Sequence, residues 1–149
     1  MEETIKSYKQ IFAFCNAVQS YMNQSAENKS TDDTTKLDYA IERTFESVQP
    51  KTVEYVNRLK DLKLDFALED DKGRVQYTVD PQTGERTYEY SKEGLRNLDK
   101  AIEDLFNSEV SIKVHYSTSV PDTLPVMYQI LFNGFVISPA KTNDEKIAD

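Results

Sequence analysis

The chain has 149 residues, about the size of one domain, and its 26 acidic and 18 basic residues give a formal net charge of −8. We expect neither a membrane span nor a secretory signal, because no apolar run approaches the roughly 18–20 residues of a span and no basic segment precedes an apolar stretch at the N-terminus. A single cysteine excludes an internal disulfide framework, and an acidic chain without a basic block argues against direct nucleic-acid binding.

Most of the negative charge lies in one segment. Residues 32–71 hold eleven acidic and six basic residues, a net charge of −5. The simplest interpretation is a long helix with a solvated acidic face. The alternative is an acidic surface that imitates nucleic-acid phosphates for a basic partner.

Apolar residues at spacings of three and four predict a first helix of about 22 residues that begins at Ile5. Polar residues follow at 23–31 and predict a connection. Asp32, Asp33 or Thr34 can cap the next helix, whose positive end favours carboxylates.

The second helical pattern is the clearest in the chain. Its apolar positions keep one phase from Ile41 to Phe66 at alternating spacings of four and three, across Pro50. Two independent helices would have no reason to keep phase, so we favour one long helix kinked at Pro50 over two helices with Pro50 at the start of the second. The apolar side of such a helix must pack against other residues along its length. The first helix can cover part of it as an antiparallel hairpin, and a second copy of the chain can cover the rest.

The patterns that follow alternate between extended and helical. Gly73 is the expected end of the long helix, and residues 80–84, Asp-Pro-Gln-Thr-Gly, predict the turn of a β-hairpin. Ser91 is the expected cap of a third helix. Alternation over 110–116 predicts a half-buried strand, and the run at 126–132 predicts a short helix.

We therefore predict a single α+β domain over residues 1–139, followed by a flexible tail at 140–149. It consists of a helical hairpin with one long helix, a small antiparallel sheet and a third helix. A small fold of this kind, without a Gly-rich loop or a histidine pair, favours binding over catalysis.

The order of elements resembles a family of small proteins of unknown function encoded by tailed bacteriophages. The matching stretches are Lys36–Ile41, Glu69–Gly73 and Leu105–Ile112, and Leu124–Pro139 is similar to the family's apolar C-terminal ending. The resemblance spans residues 36–139. It implies a non-enzymatic phage protein, a virion component or an assembly factor, located in the host cytoplasm and then in the virion. The family has no established catalytic residues, so the resemblance assigns none.

Two residues with reactive side chains have simple structural interpretations. His115, the only histidine, lies on the polar side of its strand and is expected to be exposed. Cys15 lies on the apolar face of the first helix and is expected to be a small buried side chain. The acidic run before Gly73 does not fit the ligand spacing of a calcium loop. We therefore expect no catalytic residue, no cofactor and no metal site.

Tyrosine and arginine on the hairpin form the type of surface that protein interfaces favour. Cross-strand packing and stacking of nucleic-acid bases are the alternatives. The function predicted is contact with another protein, either a second copy or a phage or host protein. The alternative is an acidic inhibitor of a host polymerase or defence nuclease. The candidate interface residues are Tyr55, Leu59, Leu62, Phe66, Tyr77, Arg86, Tyr88 and Tyr90.

Overall fold

A computed structural model describes residues 1–27 and 32–139, so the predicted tail at 140–149 lies outside the described residues. The fold is α+β, as predicted. Its elements in chain order are β1 (Glu2–Ser7), α1 (Tyr8–Glu27), α2 (Asp32–Phe66), β2 (Tyr77–Val79), β3 (Arg86–Tyr88), α3 (Lys92–Asn107), β4 (Glu109–Val114) and α4 (Val126–Phe132).

The chain divides into two compact units. One contains residues up to Thr52 together with the chain from Glu109 onward, and the other is Val53–Ser108. Helix α2 contributes residues to both. The prediction of a single domain over residues 1–139 stays a prediction.

The N-terminal segment differs from the sequence prediction, because residues 2–7 form a strand instead of the first turn of a helix. Strand β1 pairs antiparallel with β4, with Thr4 opposite Ile112. Helix α1 begins at Tyr8 because Ser7 and Gln10 form a capping box. The Ser7 hydroxyl accepts a hydrogen bond from the Gln10 N–H at 3.2 Å, and the Gln10 side-chain oxygen accepts one from the Ser7 N–H at 2.9 Å.

Helix α2 is continuous through Pro50, which confirms the prediction of one long helix. The predicted connection at 23–31 is too long, since α1 extends to Glu27. The Tyr21 hydroxyl, near the end of α1, donates a hydrogen bond of 2.7 Å to Asp38, near the start of α2. The two helices therefore fold back on each other as the predicted hairpin.

The unit that contains both termini has a single apolar core. Phe14 stacks on Phe135 with ring centroids 4.4 Å apart, and Tyr21 meets Tyr128 and Phe132 edge to face. The side chains of the core come from α1, α2, β4, α4 and the segments on either side of α4. Its fully buried members include Ile11, Phe14, Leu37, Ile41, Val48, Val114, Tyr128, Phe132 and Val136.

One buried polar residue, Thr44 of α2, lies in this core. Its hydroxyl accepts a hydrogen bond of 2.9 Å from the backbone N–H of His115. It can donate to the carbonyl of His115 at 3.3 Å or to that of Phe135 at 3.4 Å. Thr44 thus connects the long helix to the end of β4 and to the C-terminal segment.

Lys6 of β1 covers the edge of the same core. Its ammonium nitrogen lies 5.1 Å from the centre of the Phe135 ring, and burial lowers the pKa of its side chain. Gly134, with φ +83°, makes room for it, since a β-carbon built there would lie 2.5 Å from the Lys6 nitrogen. The positive φ also favours glycine at this position.

The second unit, Val53–Ser108, begins with the last turns of α2. The helix ends at Phe66, so the expectation that Gly73 ends it is wrong. Gly73, with φ +77°, instead lies in a tight turn in which its N–H donates to the carbonyl of Asp70 at 3.0 Å. Helix α3 begins at the predicted cap, where the Ser91 hydroxyl accepts from the N–H of Gly94 at 2.9 Å.

This unit buries few side chains. Among its residues, all of which the structure describes, only Leu98 of α3 is buried. Leu95, predicted on the same apolar face of α3, is 48% exposed. A unit of this kind leaves apolar surface accessible.

Candidate protein-binding face

An exposed surface that combines aromatic, aliphatic and cationic side chains lies on the β2–β3 hairpin. The predicted turn forms as expected: the Gly84 N–H donates to the Asp80 carbonyl at 2.9 Å, and the Asp80 side chain accepts from the N–H of Gln82 at 2.8 Å. Gly84 has φ +75°, the left-handed conformation that glycine adopts without strain. This turn sets the pairing register of the two strands.

The register places four side chains on one side of the hairpin. Tyr77 is opposite Tyr88, and Val79 is opposite Arg86, whereas Thr78 and Thr87 point to the other side. We call the side formed by Tyr77, Val79, Arg86 and Tyr88 the hairpin face. Three of these four residues are among the predicted interface residues.

Contacts within the hairpin face order its side chains. The guanidinium carbon of Arg86 lies 4.6 Å from the centre of the Tyr77 ring, a cation–π contact. The rings of Tyr77 and Tyr88 meet edge to face with centroids 6.1 Å apart. Among the described residues, Arg86 has no carboxylate within ion-pair distance, whereas Arg58 pairs with Glu54 and Arg74 with Asp70.

The hairpin face is accessible to a partner. Tyr77 is 43% exposed and Val79 is 53% exposed, and Arg86 is exposed as well. Thr78 and Thr87 are also exposed, so neither side of the hairpin is buried in a core. An isolated two-stranded hairpin is only marginally stable in water, which makes its apolar face a place where a partner can add stability.

The base of the hairpin is held by backbone hydrogen bonds. The N–H of Leu68 donates to Glu89 at 2.7 Å, that of Gln76 donates to Leu68 at 2.8 Å, and that of Glu89 donates to Gln76 at 3.1 Å. These bonds tie the segment after α2 to both strands. The hairpin face therefore extends from an ordered base.

A compact turn precedes β2. The Asp70 carboxylate accepts from the backbone N–H groups of Lys72 and Arg74, each at 2.9 Å, and from the Arg74 guanidinium at 2.8 Å. The hydrogen bond from the Arg74 backbone N–H is the main cause of a lowered pKa of Asp70, and the other two bonds act in the same direction. The carboxylate thus has local partners, which agrees with its role in a turn.

The other predicted interface residues lie elsewhere in this unit and are half-buried. Tyr90 donates its hydroxyl to the carbonyl of Lys63 at 3.2 Å, and burial is the main cause of its raised pKa. The Tyr55 ring packs against Phe106 with centroids 5.7 Å apart. Their role in an interface stays a prediction, as does that of Leu59, Leu62 and Phe66.

Sequence reasoning missed Val79 of the hairpin face, although it alternates with Tyr77 and therefore shares its side. It also missed three apolar residues of α2 that are accessible in this unit. Val53 is 57% exposed, Val56 is 42% exposed and Leu64 is 44% exposed. These three residues lie outside the series of apolar positions that predicts α2. An apolar residue outside that series is the sequence signal for an exposed apolar side chain.

Groups with catalytic potential lie in the other unit. His115 is half-buried, contrary to the expectation of an exposed side chain, because its ring packs edge to face on Tyr39 at 5.4 Å. Both residues line an open cleft of about 360 Å³. Cys15 is half-buried, whereas a buried side chain was expected. Its partial burial raises the pKa of the thiol to about 11, so the thiol is protonated at neutral pH and is a poor nucleophile. The described residues contain no group of three or more potential metal ligands.

Comparison with known proteins gives no relative. No protein-family model matches the chain, and neither the curated proteins nor the solved structures contain a significant match. Within the part of the chain that the structure describes, no helix is both long enough and apolar enough to cross a membrane.

Proposed function

We propose that this protein is non-enzymatic and acts by binding another protein through the hairpin face. The observation that carries the proposal is the combination of exposed tyrosine, valine and arginine on a hairpin with no buried side. Tyrosine and arginine are enriched in the residues that dominate binding energy at interfaces. The ordered contact of Arg86 with Tyr77 lowers the entropy cost of binding, because these side chains are positioned in advance.

The composition of the unit that carries the hairpin supports the same function. Its apolar residues are mostly half-buried or exposed, and only Leu98 is buried. Val53, Val56 and Leu64 of α2 add exposed apolar surface, which supports the predicted self-association along this helix as a further contact. The proposed homo-oligomer would use α2, and the hairpin face would remain for the protein partner.

From the resemblance of residues 36–139 to a family of tailed-phage proteins, we propose that the protein is a virion component or an assembly factor. It would be present in the host cytoplasm and then in the virion. The second candidate, an inhibitor of a host polymerase or defence nuclease, is favoured by the net charge of −5 over residues 32–71. The two candidates use different surfaces, which allows one experiment to separate them.

Photo-crosslinking in the native host tests the proposed surface. A benzophenone amino acid is placed at Val79 on the hairpin face, at Thr78 on the opposite side as the matched control, and at Asp61 on the exposed acidic surface of α2. Binding through the hairpin face is expected to give one crosslinked protein from Val79 and none from Thr78. Crosslinks from Asp61 alone to a nucleic-acid enzyme would favour the inhibitor instead. Equal yields from all three positions would contradict both candidates.

Light scattering after size-exclusion chromatography tests the self-association. The chain is expected to form an oligomer, and Val53→Asp together with Val56→Asp is expected to dissociate it, because burying two unpaired carboxylates in an interface is unfavourable. Arg58→Glu changes the net charge by the same two units at an exposed position on another side of the helix and serves as the control for charge alone. A monomer at all protein concentrations would contradict self-association and leave the hairpin proposal unaffected.

A further inference from the structure

We infer that the hairpin face recognises a single carboxylate flanked by apolar groups on a partner protein other than a second copy of this chain. The inference rests on the proposed function and adds the chemistry of the partner. It is drawn from the position of Arg86 among Tyr77, Val79 and Tyr88.

Arg86 has a charge that its surroundings leave unpaired. The hairpin face carries no acidic residue, and within the described residues no carboxylate lies at ion-pair distance from Arg86. The guanidinium lies 4.6 Å from the Tyr77 ring centre. The ring offers the guanidinium no oxygen or nitrogen acceptor, so the N–H donors of Arg86 can bind the two oxygens of a carboxylate.

The neighbours of Arg86 define the rest of the partner. Val79, directly opposite Arg86, is 53% exposed, and Tyr77 is 43% exposed. These side chains favour apolar groups on both sides of the carboxylate. A strongly acidic partner does not fit, because the chain itself has a net charge of −8 and would repel it.

A second copy of the chain does not satisfy this face by two-fold pairing. In a two-fold contact the same patch meets itself. Two hairpin faces would bring together two Arg86 side chains and no carboxylate, which is unfavourable for like charges that lose solvent. The complementary group must therefore come from a different surface, and we assign it to the partner protein.

The test is an NMR titration of the full chain with two blocked peptides, Ser-Leu-Glu-Leu-Ser and its counterpart with Gln in place of Glu. The side-chain Nε–Hε signal of Arg86 is identified by its loss in Arg86→Lys. The Glu peptide is expected to shift this signal saturably, with an affinity at least about tenfold above that of the Gln peptide, as charge-assisted hydrogen bonds imply.

Variants distinguish a specific contact from a general charge effect. Arg86→Gln is expected to lower the affinity for the Glu peptide to that for the Gln peptide. Arg96→Gln removes the same charge from an exposed position of α3 and is expected to leave binding unchanged. Equal losses from both variants, or no shift of the Arg86 signal throughout the millimolar range, would overturn the inference.

Further outcomes separate this inference from the proposed function. If both peptides bind equally and Tyr77→Ala abolishes both, the face binds protein without reading a carboxylate, so the inference fails and the function stands. If the Arg86 signal shifts on concentration of the protein alone, or with a short oligothymidylate, the occupant is a second copy or a nucleic acid and the inference is wrong. If neither the peptides nor the Val79 crosslinker finds a partner, both fail.

Discussion

At the scale of single residues, Thr44 is the one polar side chain that is buried within the described residues. Its side chain is fully buried, and its hydroxyl satisfies the backbone N–H of His115. A buried N–H without a partner costs about as much as a lost hydrogen bond, so this hydroxyl is difficult to replace. The same bonds fix the backbone of His115, whose ring lines the cleft beside Tyr39.

Replacing Thr44 by Val keeps the shape of the side chain and removes the hydroxyl. We expect the free energy of unfolding to fall by about 1–3 kcal/mol, because the part-buried N–H of His115 loses its hydrogen-bond partner. Thr44→Ser keeps the hydroxyl and is expected to cost only about 1 kcal/mol for the lost methyl group. Urea unfolding followed by circular dichroism measures both values.

The matched control is Thr123→Val at an exposed position, which is expected to change stability by less than about 0.5 kcal/mol. Equal losses for Thr44→Val and Thr123→Val would show that the buried hydroxyl is not the stabilising group.

At the scale of elements, short polar motifs determine where helices and turns begin. Ser7 with Gln10 starts α1, Ser91 starts α3, and Asp80 closes the hairpin turn. The turn before β2 depends in the same way on Asp70. Each motif satisfies backbone N–H groups that would otherwise lack a partner.

The Asp70 turn makes a specific prediction about pH. The pKa of Asp70 is lowered in the folded chain, mainly by the backbone N–H of Arg74. The stabilisation is therefore complete above the unfolded pKa of about 3.9 and is lost as the pH falls through that value toward the folded pKa. We expect Asp70→Asn to be less stable than the parent chain near neutral pH and closer to it in acid. Asp71→Asn is the matched control.

An NMR titration of the Asp70 carboxyl measures the shift directly. Arg74→Ala is expected to raise the pKa of Asp70 only part of the way to its ordinary value, because the two backbone hydrogen bonds remain. A complete return to the ordinary value in Arg74→Ala would assign the shift to the guanidinium instead.

Local patterns predicted some elements well and others poorly, for physical reasons. The continuity of α2 through Pro50 followed from the constant phase of its apolar residues, and the hairpin followed from its turn residues. Strand β1 was missed because its partner lies far along the chain, with Thr4 opposite Ile112. The spacing of Ile5, Tyr8 and Phe12 fits a helix equally well, and only the Ser7–Gln10 cap indicates the true boundary.

The sequence likewise predicts some residues of the candidate site correctly and others not. Alternation around the turn was sufficient to group Tyr77, Arg86 and Tyr88. The sequence places Tyr90 on the hairpin with Tyr77 and Tyr88, because it alternates with Tyr88 in the run after the turn, whereas the structure directs its hydroxyl to the carbonyl of Lys63. That contact joins the segment after β3 to α2, and no local pattern encodes a contact of this kind.

At the scale of the whole molecule, the two units differ in how much they bury. The unit that contains both chain ends has a continuous core, whereas Val53–Ser108 buries only Leu98. A region with more buried apolar contacts opens less readily by local unfolding. The difference in burial therefore predicts a difference in dynamics.

Hydrogen exchange followed by mass spectrometry or NMR tests this difference. We expect the amides of α1 and β4 to exchange more slowly than those of β2, β3 and α3, by an order of magnitude or more. Similar protection throughout would indicate one cooperative unit and would support the predicted single domain. A partner that covers the hairpin face is expected to slow exchange in β2 and β3 most.

The pairing of β1 with β4 has a consequence for synthesis on the ribosome. Glu2 is translated 112 positions before Val114, the residue with which it pairs. At typical translation rates this interval lasts about 6–22 s. Val53–Ser108 is contiguous in the chain. It can therefore fold while β1 is still unpaired and β4 has not yet been translated. Nascent chains of this protein must therefore keep β1 unpaired until β4 has been translated.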